Sequence, residues 1–265
     1  LESREDNGAS SNKGMISSKF EYFLPADIVK PSGSYSATYY PETGYSFVRW
    51  ETSGSVSVSD AASQSTTVNV VGSGTLRAIY KRLQVMITIS SNLPLGFSFA
   101  RVDGAVITAP SAFTWTAGST HTLEALSPVA GGSGVQYVWS SWSDGGNQIH
   151  TYTTPSSSQT VTANYKTQYY LTVTSAHDLP TPASAWFDAG TSITASVATP
   201  ADQSGGTRYR CTGWMGTGSV PSSGSASSVT FTMGAPSSIT WNWVAQYYLT
   251  INTNPAEVSS LNPSA

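Results

Sequence analysis

Charge is scarce in this 265-residue chain: only 10% of residues are Asp, Glu, Lys or Arg, and the formal net charge is −3. Soluble domains typically carry about a quarter. The 12 Lys and Arg are scattered rather than clustered, so no basic patch invites nucleic acid or an anionic membrane surface. Cysteine is nearly absent too. Cys211 stands alone, which excludes an internal disulfide and a thiolate metal cluster. No run of about 18 apolar residues occurs, so no helical membrane insertion is written here. No Asn sits in an Asn-x-Ser/Thr sequon with x other than Pro, which closes that glycosylation route. Helical periodicity is missing, and helix breakers and β-branched residues are dense. The chain opens at Leu1 rather than Met, as a processed or trimmed product would.

What is present is aromatic and repetitive. Aromatics make up 11% of the chain, with 14 Tyr and 8 Trp, far more than a disordered segment carries. Apolar residues alternate with polar ones: Leu83, Val85, Ile87 and Ile89, then Tyr169, Leu171 and Val173. A period of two puts one set on a buried face. Gly, Ser, Pro and Asn clusters punctuate the runs at short intervals, which predicts an all-β sandwich or barrel.

A motif Tyr-x-apolar-x-x-Trp occurs three times, as YSFVRW (45–50), YVWSSW (137–142) and YRCTGW (209–214). Each follows a Gly-Ser/Thr pair at Gly33, Gly118 or Gly190, and each precedes an alternating strand that ends at Lys81, Lys166 or Val244. Three landmarks in a fixed order mark an internal repeat. They predict a polar segment 1–18, three tandem small β-sandwich (Ig-like) modules at 19–82, 83–167 and 168–245, and a tail 246–265. Modules this small bury only about 60–65% of their unfolded surface. Trp50, Trp142 and Trp214 are therefore expected to anchor the cores, since a buried aromatic hides about 150–250 Å².

The middle copy, ARVDGAVITAPSAFTWTAGSTHTLEA with YVWSSWSDGGNQIHTYTTP and TANYKTQYYLTV, resembles a module found in tandem in secreted bacterial and archaeal proteins. That group includes the divergent internalin-type B-repeats. The first and third copies are similar to the same superfamily, and the resemblance spans about 33–250. It implies an extracellular, cell-surface, non-catalytic building block, with a β-grasp-like repeat as the alternative fold.

Few residues offer chemistry. His121 and His150 could hold a metal only if a third ligand such as Asp144 converged; both are expected to face water instead. The stretch SWSDGG (141–146) lacks the strand–Ser–helix setting of a nucleophile elbow and reads as a tight turn. Cys211 takes the place of Phe47 and Trp139 in the other copies, as a small core hydrophobe would. No acid–base pair stands out, so neither an enzyme nor a cofactor site is expected. Trp115, Trp186, Tyr39 and Tyr40 are the candidates for a glycan-stacking surface.

The tail raises the sharper question. QYYLTINT (246–253) repeats QYYLTVTS (168–175), the opening strand of the third module. In the first module no apolar opening strand precedes Gly33, and KFEYFL (19–24) better matches the second strand, FSFARVDG from Phe97. Tyr247, Leu249 and Ile251 are therefore expected to add as a donor strand to the first module of another copy, beside Phe20, Tyr22 and Leu24. The result would be a head-to-tail extracellular filament. The alternative is a fragment of a long surface stalk or adhesin array, with carbohydrate as a candidate ligand.

Overall fold

The computed structural model describes residues 2–5, 14–18, 21–23 and 28–252, the first three segments as backbone only. Among these every regular element is a strand, so the fold is all-β, as the alternation predicts. It forms two compact units, residues 1–127 with 139–165 and residues 128–138 with 166–265.

The first unit begins with β1 (Glu2–Glu5), β2 (Gly14–Ser18), β3 (Glu21–Phe23), β4 (Gly33–Pro41), β5 (Tyr45–Val58) and β6 (Ser65–Arg82). It continues with β7 (Gln84–Ser91), β8 (Ser98–Val102), β9 (Ala105–Thr108), β10 (Ser111–Thr116) and β11 (Thr120–Ala125). Next come β12 (Val129–Gly132) of the second unit, β13 (Val135–Trp142), β14 (Ile149–Thr153) of the first, and β15 (Gln159–Thr174). Strands β13 and β15 contribute residues to both units. The second unit ends with β16 (Ala185–Asp188), β17 (Ser192–Ser196), β18 (Ala201–Ser204), β19 (Thr207–Thr217), β20 (Ser223–Gly224), β21 (Ser228–Thr232) and β22 (Ser237–Tyr247).

One pairing scheme recurs. Strand β7 pairs antiparallel with β10 (Ile87 opposite Phe113) and parallel with the first part of β15 (Ile87 opposite Gln159). The last part of β15 does the same, antiparallel with β16 (Leu171 opposite Ala185) and parallel with β22 (Leu171 opposite Ser237). The alternation read from sequence buries its apolar set: Val85, Ile87, Ile89 and Leu171 are shielded, while Met86 between them is exposed. Each such side chain contributes roughly 1.5–3 kcal/mol.

Two of the three Gly-Ser/Thr landmarks lie in turns between strands, whereas Gly33 opens β4 itself. Gly118 and Gly190 adopt φ of 81° and 84°, a conformation that favours glycine. Gly118 N–H donates to the Thr154 carbonyl, and Thr154 N–H returns to the Ser119 carbonyl. Gly190, Thr191 and Met233 repeat this exchange. In the first unit the sheets face each other through Tyr165 of β15. Its hydroxyl lies 2.5 Å from the Phe99 carbonyl and 3.0 Å from that of Leu126, and burial holds the phenol well above the ordinary tyrosine range. Tyr165→Phe strips the donor from two carbonyls and is expected to cost about 1–3 kcal/mol, read from the urea midpoint.

The start of the chain departs from expectation. The polar segment 1–18 carries no strand pattern, yet β1 lies parallel to β6, with Glu2 opposite Arg77 and Glu5 opposite Tyr80. Backbone hydrogen bonds need no apolar pattern, so Glu-Ser-Arg-Glu forms a ladder that hydrophobic periodicity does not announce. The strand beside β4, in the place β8 holds beside β11, is β2 rather than 19–24.

Candidate functional site

The spacing of the Tyr-x-apolar-x-x-Trp motif has a geometric cause. On a regular strand the apolar residue and the Trp three positions later would face opposite sides. In β5 the register slips between Phe47 and Arg49, and in β19 between Cys211 and Gly213. A bulge places two residues against one and reverses the alternation. Phe47 and Trp50 then pack on one core with Tyr39 and Tyr80, and Cys211 and Trp214 share another with Leu171, Phe231 and Trp241. Each indole N–H donates to a carbonyl in the loop that follows: Trp50 to Ser63 (2.9 Å), Trp142 to Gln148 (3.2 Å) and Trp214 to Pro221 (3.3 Å). All three Trp are buried. The motif builds cores.

His121 and His150, expected to face water, are only partly exposed, and each of the three histidines pairs with a carboxylate. His121 Nδ1 lies 2.8 Å from Asp103 Oδ2, His150 Nε2 2.9 Å from Asp144 Oδ2, and His177 Nδ1 2.8 Å from Asp202 Oδ2. His121 stacks on Trp115 with centroids 3.7 Å apart, and His177 on Tyr209 at 3.6 Å. Asp144 turns back to His150 rather than joining His121. Among the described residues no group of three or more His, Cys, Asp or Glu could hold a metal. In SWSDGG, Asp144 Oδ1 accepts the Gly146 N–H and the Trp142 carbonyl accepts that of Gly145, which is the tight turn read from sequence.

One arrangement escaped the sequence reading. Ser119 Oγ lies 3.0 Å from His121 Nε2, completing an Asp103–His121–Ser119 relay with the connectivity of a nucleophilic triad. Acyl transfer also needs N–H donors aimed at the oxyanion. The two nearest are already committed: Ser119 N–H donates to Thr116 O, and Gly118 N–H to Thr154 O. Ser119 Oγ also contacts Thr154 Oγ1 at 3.1 Å, and Asp103 Oδ1 accepts the Thr122 N–H. The relay ties the β8–β9 turn to β11. The hydrogen bond to His121 is the main cause of a lowered Asp103 pKa. A carboxylate with a folded-state pKa below its unfolded value stabilises above the unfolded value and loses that contribution as pH falls through the folded one. The side chain is half exposed, so solvent screening keeps the effect small. Asp103→Asn is expected to flatten the stability profile slightly below about pH 4, measured by urea titration.

Of the glycan candidates, Trp115 and Tyr39 are buried, whereas Trp186 and Tyr40 reach solvent. Trp186 packs edge-on against Tyr170.

The tail places its apolar residues in solvent. Tyr247, Leu249 and Ile251 are 76%, 83% and 53% exposed. Tyr247 ends β22 opposite Thr207, and Tyr248 N–H donates to Gly206 O. From Leu249 onward no strand is formed among the described residues. On the expected acceptor side, Phe20 and Leu24 lie outside the described residues. Tyr22 sits on β3, opposite Ser17 of β2, and the order β6-β4-β2-β3 separates it from the strand that borders the opening-strand position.

Residues 29–84 match the family model of the divergent InlB B-repeat domain. That segment is similar to the divergent internalin B-repeat family. The B-repeat match covers β4, β5 and β6 with their Trp50 core. Among solved structures, the Bacillus anthracis TIE protein is similar over 74% of this chain and 44% of its own, at 12% identity and a TM-score of 0.37. The chain thus spans less than half the length of that protein. No curated protein matches significantly. B-repeat domains are generally found in secreted surface proteins, and no helix among the described residues is long and apolar enough to cross a membrane.

Proposed function

We propose that this chain is a structural, non-enzymatic repeat element of an extracellular surface protein, one that holds β modules in series. The observation that carries the reading is the handover between strands. Strand β6 passes to β7 through Leu83 alone, and β15 serves without interruption as closing strand beside β7 and opening strand beside β22. Leu83 is also clamped, its N–H to Gly44 O and its carbonyl to Ala117 N–H.

The exposed apolar tail favours a second, finer reading: head-to-tail assembly, with Tyr247, Leu249 and Ile251 donated to the first module of another copy. Burial of Leu and Ile contributes roughly 1.5–3 kcal/mol each, against an ordering cost of about 1–2 kcal/mol per residue. One strand gives weak pairing that repetition along a fibre would reinforce. Electron microscopy of the full chain beside a version ending at Ala245 separates these readings. Filaments from the full chain alone support donation. Folded monomers from both leave the serial spacer and end the filament reading. A glycan-array signal lost with Trp186→Ala or Tyr40→Ala would replace the spacer with an adhesin.

A further inference from the structure

Three histidines pair with three carboxylates, and one of these pairs differs from the others in its protons. We infer that His150 is held as an imidazolium between Asp144 and the Asn147 carbonyl, making the turn from β13 to β14 a proton-dependent clasp that loosens as pH rises. The clasp belongs to the middle copy alone and does not depend on head-to-tail assembly.

The partners fix the charge. A neutral imidazole has one N–H donor and one bare nitrogen that accepts; only the imidazolium donates from both. His150 Nδ1 lies 2.9 Å from the Asn147 carbonyl oxygen, and Nε2 lies 2.9 Å from Asp144 Oδ2. A carbonyl and an ionised carboxylate have no proton to give. A neutral ring would set a lone pair against one of these oxygens, in a site where the two side chains are only 13% and 19% exposed. A shielded polar group without a partner is costly. A proton shared by such a pair rests on the imidazole, the stronger base by roughly 2.6 pH units in the free side chains. The other two rings escape this demand. His121 places Nδ1 on Asp103 but Nε2 on the Ser119 hydroxyl, which can donate. His177 meets Asp202 through Nδ1, and a single N–H satisfies that contact.

The stretch SDGGNQIH (143–150) builds the seat. Asp144 Oδ1 accepts the Gly146 N–H, which leaves Oδ2 for the ring. At Gly146 an added Cβ would lie 2.5 Å from the imidazole, so the ring rests on a residue that must lack a side chain. Trp142 packs against it in a T-shaped arrangement with centroids 5.8 Å apart. The Gln148 carbonyl accepts both the Trp142 indole N–H and the Ala125 N–H, and Gln148 Nε2 returns to the Ala125 carbonyl. The clasp thus braces the loop that caps the motif Trp. The loops after Trp50 and Trp214 carry no histidine. Leu123 of β11 stands opposite His150, while its neighbour Glu124 faces the other side of the sheet, ion-paired to Arg101. Thr162 of β15, bonded to Ser143, is uncharged. Tyr152, on the same face of β14, binds Gln159, and burial holds its phenol above the ordinary tyrosine range. Among the described residues, the charged group facing the ring is therefore Asp144. The imidazolium contributes while its proton is bound, and that contribution is lost as pH rises and the proton passes to solvent.

Nitrogen NMR of the full chain, labelled with nitrogen-15 at histidine, counts the ring protons directly. At about pH 7.5 a free imidazole, with its pKa near 6.5, is roughly nine-tenths neutral. His150 is expected to show both nitrogens protonated at that pH, with a His150→Gln chain assigning its signal. Asp144→Asn is the decisive variant. Its Oδ1 can keep the Gly146 N–H while its amide nitrogen takes the place of Oδ2 and donates to a bare Nε2, so this ring is expected to be neutral. Hydrogen exchange of peptides spanning residues 142–150, expressed relative to the intrinsic rate at each pH, reads the clasp. Between about pH 6 and pH 9, protection in the unaltered chain should fall by roughly tenfold more than in Asp144→Asn. His121 and His177 are present in both chains, so their titration cancels. A singly protonated His150 ring at about pH 7.5 in the unaltered chain overturns the charge assignment. A doubly protonated ring with parallel exchange profiles in the two chains overturns the clasp. Circular dichroism checks that Asp144→Asn folds. Should it not, His150→Gln replaces it in the exchange comparison, with the same excess fall expected in the unaltered chain.

Discussion

Trp214→Ala is expected to destabilise the second unit by about 3–5 kcal/mol, the range for removing a buried Trp. Three losses combine. The indole is buried and packs edge-on against Trp241 at 5.9 Å. Its N–H satisfies the Pro221 carbonyl. It also supports the loop that crosses it at Gly224, where an added Cβ would lie 2.1 Å from the ring. The same replacement at Trp50 or Trp142 removes a comparable anchor, and a loss of this size is a large fraction of a domain's total stability. Two compact units need not unfold in one step, so a global midpoint would not say which unit carries the loss. Hydrogen exchange followed by mass spectrometry localises the effect, with peptides from β19 and β22 expected to exchange roughly 100-fold or more faster. Unchanged protection there would mean that the motif Trp is not the anchor.

Much of this core was legible because it depends on side-chain pattern. The alternation at Val85, Ile87, Ile89 and Leu171 gave strand, face and burial together, and the repeat landmarks located all three Trp. The bulges after Phe47 and Cys211 were legible only in retrospect, as the odd spacing between an apolar residue and a Trp that must share a face. Strand β1 left no trace because it is held by its backbone. The histidine–carboxylate pairs were invisible for a related reason: Asp103 and Asp202 lie 18 and 25 residues from the rings they meet, and only folding brings them there. The repeated QYYLT is the sequence signal behind the proposed donor strand, whereas the pairing of β1 with β6 is a matter of register, which a sequence does not print.

The bulge makes its own demand, and Gly213→Ala is expected to be the most damaging small substitution in the second unit. Gly213 has a φ of 124°, where side-chain-bearing residues are strained by about 1–3 kcal/mol. An added Cβ would stand 1.8 Å from the Gly224 carbonyl oxygen and 2.7 Å from the Ser225 Cα. Both obstacles are backbone, so relief requires β19 and the loop carrying Gly224 to separate. That movement weakens the ladder in which Trp214 faces Gly224 and Met215 faces Ser223, and lifts the loop from the indole. Strain and displacement together predict a loss of roughly 3 kcal/mol or more, among the larger effects of a single substitution. Gly145→Ala is the control: its φ is also positive, at 82°, but nothing lies within 4 Å of its Cβ, so only about 1 kcal/mol of conformational strain is at stake. Hydrogen exchange of the peptides around each site should separate the two losses by about 2 kcal/mol. Equal losses would show that the strand and loop yield to the added methyl, and that the bulge does not depend on their close approach.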